Sequence, residues 1–92
     1  MNDINSKAHE LKDIIESEPL VKEYRRVEAL YKESKEIKQI LRNIEKASND
    51  KDYALRKELI EKFNNHPLVS NYMNLKEEVH DYLKQISNSL NI

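Results

Sequence analysis

Apolar and polar residues alternate along this chain with the period of an α-helix almost from end to end. The clearest run is the last. Leu68, Tyr72, Leu75, Val79, Leu83, Ile86 and Leu90 recur at intervals of three and four, which lines them along one stripe of a helix. Pro67 stands at the start of this run, where a missing N–H costs nothing because first-turn N–H groups have no partner within the helix. A helix of about 25 residues reaches roughly 37 Å, longer than a compact chain of this size is wide (about 25–30 Å). The pattern therefore predicts an elongated molecule in which a long stripe meets an equally long partner.

Upstream, Leu20, Tyr24, Val27, Tyr31, Ser34, Ile37, Leu41 and Ile44 form a second stripe and predict one long helix over Pro19–Ala47. Its near-heptad spacing slips by a three-residue step after Ser34, where a bend or local repacking is expected. A shorter helix over Ser6–Ser17 precedes it, with Ile4, Ala8, Leu11, Ile14 and Ile15 on one face, Asp3 or Ser6 as its cap and Pro19 at its end. Ser48-Asn49-Asp50-Lys51-Asp52 reads as a turn, because these side chains bond locally to the backbone. Another short helix is predicted over Lys51–Asn64, with Tyr53, Leu59, Ile60 and Phe63 facing inward. It breaks at Asn64–Pro67, since the residue before proline avoids helical angles; His66 closes this helix or caps the next. Asn91 and Ile92 are expected to fray. The fold class is all-α: an elongated antiparallel helical bundle of two long and two short helices, one domain over residues 1–92. The two long helices lie side by side and the short ones cover their ends. Their combined stripe exceeds what one copy covers, so the expected state is a homodimer.

The two long helices also start alike. Pro19-Leu20-Val21-x-x-Tyr24-x-x-Val27 returns as Pro67-Leu68-Val69-x-x-Tyr72-x-x-Leu75. The echo fits a pseudo-symmetric pair of hairpins, and equally the plain fact that proline followed by an apolar stripe begins a helix well.

Composition narrows the chemistry. The chain has 92 residues, 36% of them charged, with no Gly and no Cys. Without glycine, phosphate-cradling loops and dinucleotide turns have no residue for their positive φ and close backbone approach. Without cysteine there is no disulfide, thiolate nucleophile or Cys-held zinc or iron–sulfur site. Sixteen Lys/Arg against seventeen Asp/Glu leave a net charge of −1, too little to drive binding to nucleic acid or anionic membranes. No apolar run approaches the roughly 18–20 residues that span a bilayer, and MNDINSKAHELKD has no signal-peptide pattern. A cytoplasmic protein with no membrane partner is expected.

Glu77-x-x-His80 has the spacing found in carboxylate-bridged di-metal bundles, but those need a second such motif and two more inward glutamates; no metal or other cofactor is expected. The tyrosines, interleaved with Lys22, Arg25, Arg26 and Lys32, suggest a base-stacking platform. Yet Glu23, Glu28, Glu33 and Glu36 alternate with the cations, as on a solvated salt-bridged face. Tyr24, Tyr31 and Tyr72 sit on the apolar stripes, where a ring packs and its hydroxyl reaches water. Acid–base or nucleophilic catalysis needs a cleft with displaced pKa values, and the pattern offers none, so no catalytic residue is assigned.

The segment His66-Pro67-Leu68-Val69, with Tyr72, Leu75, Glu78, Val79, Leu83 and Ile86, resembles the C-terminal helix of the YlbF/YmcA family of small helical proteins from Gram-positive bacteria. Ile14-Ile15-Glu16-Ser17 followed by Val21-x-x-Tyr24 and a long charged helix resembles that family's start, so the likeness runs through nearly the whole chain. It implies a non-enzymatic all-α protein, often dimeric. Characterised relatives join a regulatory complex that affects competence, sporulation, biofilm formation and mRNA processing. Some relatives help hold iron–sulfur clusters through cysteines; this chain has none, so that role is not carried over.

The expectation is thus a protein-interaction module, a regulatory adaptor in a bacterial multi-protein complex. Its core or dimer interface is assigned to Leu20, Tyr24, Val27, Tyr31, Ile37, Leu41, Leu68, Tyr72, Leu75, Val79, Leu83 and Ile86. The alternative is a small RNA-binding protein that uses Lys22, Arg25, Arg26 and Lys32.

Overall fold

Single-residue interruptions set the architecture. The computed structural model describes the backbone of Asn2–Leu90 and the side chains of Ser6–Leu90. The side chains of Asp3 and Ile4, and the fraying expected of Asn91 and Ile92, lie outside the described residues. Five helices follow in order: α1 (Asn2–Ser17), α2 (Pro19–Glu33), α3 (Lys35–Asn49), α4 (Tyr53–Asn65) and α5 (Pro67–Leu90). The described residues contain no strand. Because α1 begins at Asn2, Ser6 lies inside it rather than at its cap.

Glu18, Ser34 and His66 each leave the helical region, with ψ of 133°, 115° and 125°. Each turns its own N–H back to a carbonyl three residues earlier, on Ile15, Tyr31 and Phe63. Before Pro19 and Pro67 this is steric, since the proline ring excludes helical angles from its predecessor. At Ser34 no proline is involved. Its Oγ accepts the Ile37 N–H at 3.2 Å, so the serine caps a new helix instead of continuing the old one. The long helix expected over Pro19–Ala47 is therefore two helices of 15 residues each. With it goes the count of two long and two short helices: α5, at 24 residues, alone stands out among lengths of 13–16. His66 both closes α4 and caps α5, its Nδ1 accepting the Leu68 N–H at 3.1 Å.

α2 packs along α5, and α3 along α4; α1 lies on α2, and α4 also meets α5. α2 and α5 run antiparallel, since Tyr31 stacks on Tyr72 while Glu18 faces Tyr82. The break at Ser34 lies near the break at His66, where the Glu36 carboxylate stands 3.4 Å from His66 Nε2. Two helical pairs thus meet at a waist. The molecule measures 56 × 24 × 22 Å with a radius of gyration of 18.4 Å, against about 12 Å for a compact chain of this length.

The turn between α3 and α4 closes without glycine. Lys51 takes φ 57°, the left-handed conformation that ends many helices. Its N–H reaches the Ser48 carbonyl at 3.2 Å and the Asp52 N–H reaches that of Ala47 at 2.9 Å. Asp52 then starts α4, its Oδ1 accepting the Leu55 N–H at 3.2 Å. Arg56 Nε ties the hairpin back to Ser48 Oγ at 2.9 Å.

Buried side chains are Val21 and Val27 on α2, Ile37, Ile40 and Ala47 on α3, and Val69, Tyr72, Leu75 and Val79 on α5. No side chain of α4 is buried. Tyr53, expected to face inward, is 68% exposed. It sits six residues before Leu59, about 120° round the helix, at the edge of the apolar face.

Candidate interaction surface

The waist-to-tip seam of α2 against α5 is built on tyrosine. Tyr24 and Tyr31 are seven residues apart, a rise of about 10.5 Å, which leaves a slot for one ring. Tyr72 fills it. Its ring lies 4.3 Å from Tyr31 at 20° and 5.8 Å from Tyr24 at 9°. Val27, Tyr72 and Leu75 form the buried centre, and Leu20, Tyr24, Tyr31 and Leu68 pack around it. Val27 is only 1% exposed. Burial, then the neighbouring Glu28 carboxylate and Tyr72 hydroxyl, holds the Tyr24 phenol well above its ordinary value. The Tyr24 hydroxyl, followed by Lys32 and Arg25, holds Glu28 below its own. Burial also raises Tyr31.

The sequence-assigned residues divide accordingly. Seven converge in the cluster above: Leu20, Tyr24, Val27, Tyr31, Leu68, Tyr72 and Leu75. Val79 is buried on α5 and Ile37 on α3, and Ile86 is half-buried. Leu41 and Leu83 stand on the surface. Missed by the stripes were Val21, Val69, Ile40 and Ala47, all buried. Each extends an apolar face sideways. The pairs Leu20-Val21 and Leu68-Val69 signal an apolar arc wider than one residue per turn.

The cations assigned to the RNA alternative, Lys22, Arg25, Arg26 and Lys32, are all exposed on α2. Arg25 bridges Glu16 of α1 at 3.2 Å and Glu28 at 3.3 Å. Arg26 engages Glu23 through both Nε and Nη2, and Lys32 Nζ lies 3.9 Å from Glu28. Arg25 also lies over the Tyr24 ring at 5.7 Å. Tyr72 is stacked between Tyr24 and Tyr31, and Arg25 covers Tyr24, so these rings are already engaged.

Beside the seam a cleft of about 520 Å³ opens between α2 and α5, lined by Tyr24, Arg25, Met73, Lys76, Val79 and Leu83 and rimmed by Glu77 and His80. Among the described residues no three His, Cys, Asp or Glu side chains gather as metal ligands, and no helix is long and apolar enough to cross a membrane. Further exposed apolar side chains are Ile14, Leu30, Leu41, Tyr53, Leu55 and Leu90. They touch every helix. What the surface offers chemically is apolar contact framed by charge.

No curated protein and no solved structure matches this chain. The model of one family does, over residues 4–91, and its description is "Control of competence regulator ComK, YlbF/YmcA". With all but the ends of its 92 residues so matched, and with the tyrosine-centred helices that carried the resemblance packed as one seam, the chain belongs to the YlbF/YmcA family.

Proposed function

We propose that this chain is a non-enzymatic protein-interaction module, a single domain acting in the cytoplasm as a homodimeric regulatory adaptor. Its setting is a bacterial multi-protein complex that affects competence, sporulation, biofilm formation or mRNA processing. The observation that carries the reading is the distribution of large apolar side chains. Leu30, Leu41, Tyr53, Leu55, Met73 and Leu83 remain exposed on an elongated frame whose polar residues are nearly all at the surface. Where such side chains adjoin, as Met73 and Leu83 do in the cleft between α2 and α5, contiguous exposed apolar area is characteristic of protein contact surfaces. Membership of a family concerned with control of a competence regulator supports the regulatory part of the reading.

The test is affinity capture of the tagged chain from its native cytoplasm, followed by size exclusion. A defined partner should stay with the wild-type chain in fixed proportion and be lost on Leu83→Glu or Met73→Glu. A chain that elutes alone, in cells where its deletion alters competence, would remove the adaptor reading.

A further inference from the structure

We infer that the outer face of α3 is a docking ridge for an acidic amphipathic helix of a partner protein. The inference rests on the interaction module proposed above and names the chemistry of its partner.

Helix geometry builds the ridge. Lys35, Lys38, Arg42 and Lys46 are all exposed, and at about 100° per residue they share roughly 80° of arc. That arc lies opposite the side that buries Ile37, Ile40 and Ala47. The four charges climb about 16.5 Å along the axis. Among the described residues no carboxylate comes within 4.0 Å of any of them. The two carboxylates of α3 do not neutralise the ridge: Glu36 faces His66 Nε2 at 3.4 Å, and Glu45 stands at its edge without pairing. The cations of α2 behave differently, since Arg25, Arg26 and Lys32 each meet a glutamate. α1 and α5 each carry two lysines against more numerous carboxylates, and α4 interleaves Arg56, Lys57 and Lys62 with Glu58 and Glu61.

Such a ridge opposes the folding of the free chain. Lys38 and Arg42, like Arg42 and Lys46, are like charges four residues apart, a spacing that destabilises a helix. Lys35 opens α3, at the end where positive charge is least favourable. An anionic partner removes both costs.

The surroundings select a protein helix over a nucleic acid. α3 has no aromatic ring on which a base could stack, and the chain's net charge of −1 gives no long-range pull on a polyanion. Leu41, 42% exposed, lies about 60° round the helix from Lys38. A phosphate backbone offers that side chain no counterpart, whereas the apolar row of an amphipathic helix does. Carboxylates at every fourth position of a helix recur at about 6 Å. That is the rise from Lys38 to Arg42 and again from Arg42 to Lys46, so the two rows match charge for charge.

Fluorescence anisotropy of the full chain tests the ridge. The probe is a labelled synthetic helix with glutamate at every fourth position beside one row of leucines. The wild type should bind it about tenfold or more tightly than the same peptide with glutamine for glutamate. Lys38→Glu/Arg42→Glu should weaken binding by about tenfold or more, and Leu41→Gln should weaken it too. Lys7→Glu/Lys84→Glu makes the same change in net charge on α1 and α5, and should stay within about threefold of wild type. Lys38→Glu alone should melt no lower than wild type, because it turns a like-charge pair into Glu–Arg. Should the double variant lose helicity by circular dichroism, Lys38→Gln/Arg42→Gln takes its place. Absence of peptide binding, wild-type affinity in the ridge variant, an equal loss in the α1/α5 control, or a preference for poly(U) each overturns the ridge. A native partner still held through Met73 and Leu83 would then leave the adaptor standing without it.

Discussion

Replacing Tyr72 by Leu probes the seam at its centre. Tyr72 is 8% exposed and its ring occupies the slot between Tyr24 and Tyr31. Leucine keeps most of the apolar bulk, so the transfer free energy of the site changes little. What disappears is the stacking. Each aromatic pair contributes about 0.5–1.5 kcal/mol beyond buried area, and two pairs are lost together, giving an expected destabilisation of about 1–3 kcal/mol. For a chain of this length that lowers the melting temperature by roughly 5–20 °C. Urea unfolding followed by far-UV circular dichroism, at fixed protein concentration because dimerisation would shift the midpoint, reads the change. Tyr53→Leu is the matched control: the ring is exposed, and the effect should stay within about 0.5 kcal/mol. A double-mutant cycle of Tyr72→Leu with Tyr31→Leu should show a coupling of about 0.5–1.5 kcal/mol. If Tyr72→Leu matches the control, or the two substitutions add without coupling, the stacked seam does not stabilise the fold.

Other outcomes follow from the same structure. Lys51→Gly should raise stability by about 1 kcal/mol, since a left-handed conformation strains any residue with a Cβ; a loss in urea midpoint would mean that the α3/α4 turn is misread. Leu75→Ala, which removes a buried side chain of the seam, should cost about 2–5 kcal/mol, and an unchanged melt would show that the α2/α5 contact is not a core. Glu28 is held below its ordinary value of 4.5, so its contribution is complete above that pH and fades as pH falls through the folded value. Tyr24 is held above its ordinary 10.0, so its contribution is complete below pH 10.0 and fades in more alkaline solution. The urea midpoint should therefore decline at both ends, with Tyr24→Phe flattening the alkaline limb; a limb unaffected by that substitution contradicts the Tyr24 assignment. RNA mobility should not respond to the chain, because Arg25, Arg26 and Lys32 already face carboxylates. A shift that falls steeply with salt and vanishes on Arg25→Glu/Arg26→Glu would instead favour the RNA alternative.

Periodicity carried the helical content and the seam. Val27, Tyr72 and Leu75 stand at core spacing in the sequence and in the structure, because they lie where the apolar arcs of α2 and α5 face each other. The prolines likewise mark the starts of α2 and α5. Ser34 shows where such reading ends. Its three-residue step was visible, but a serine is stable either inside a helix or at its cap, and the choice falls to one bond to Ile37 N–H. Once that bond forms, α3 turns its Ile40 and Ala47 inward and leaves Leu41 42% exposed. Lys51 was hidden for a related reason: a left-handed helix end is usually signalled by glycine, and this chain has none. The interaction surface was the least legible part. Leu83 and Leu75 look alike in a stripe, and only the packing of α2 and α5 distinguishes the exposed one from the buried one.

Light scattering of the wild-type chain across the micromolar range shows whether a second copy covers its apolar surface. A mass of about twice the 11.0 kDa chain is expected, falling toward that of one chain only on dilution. A folded monomer at every concentration would contradict it.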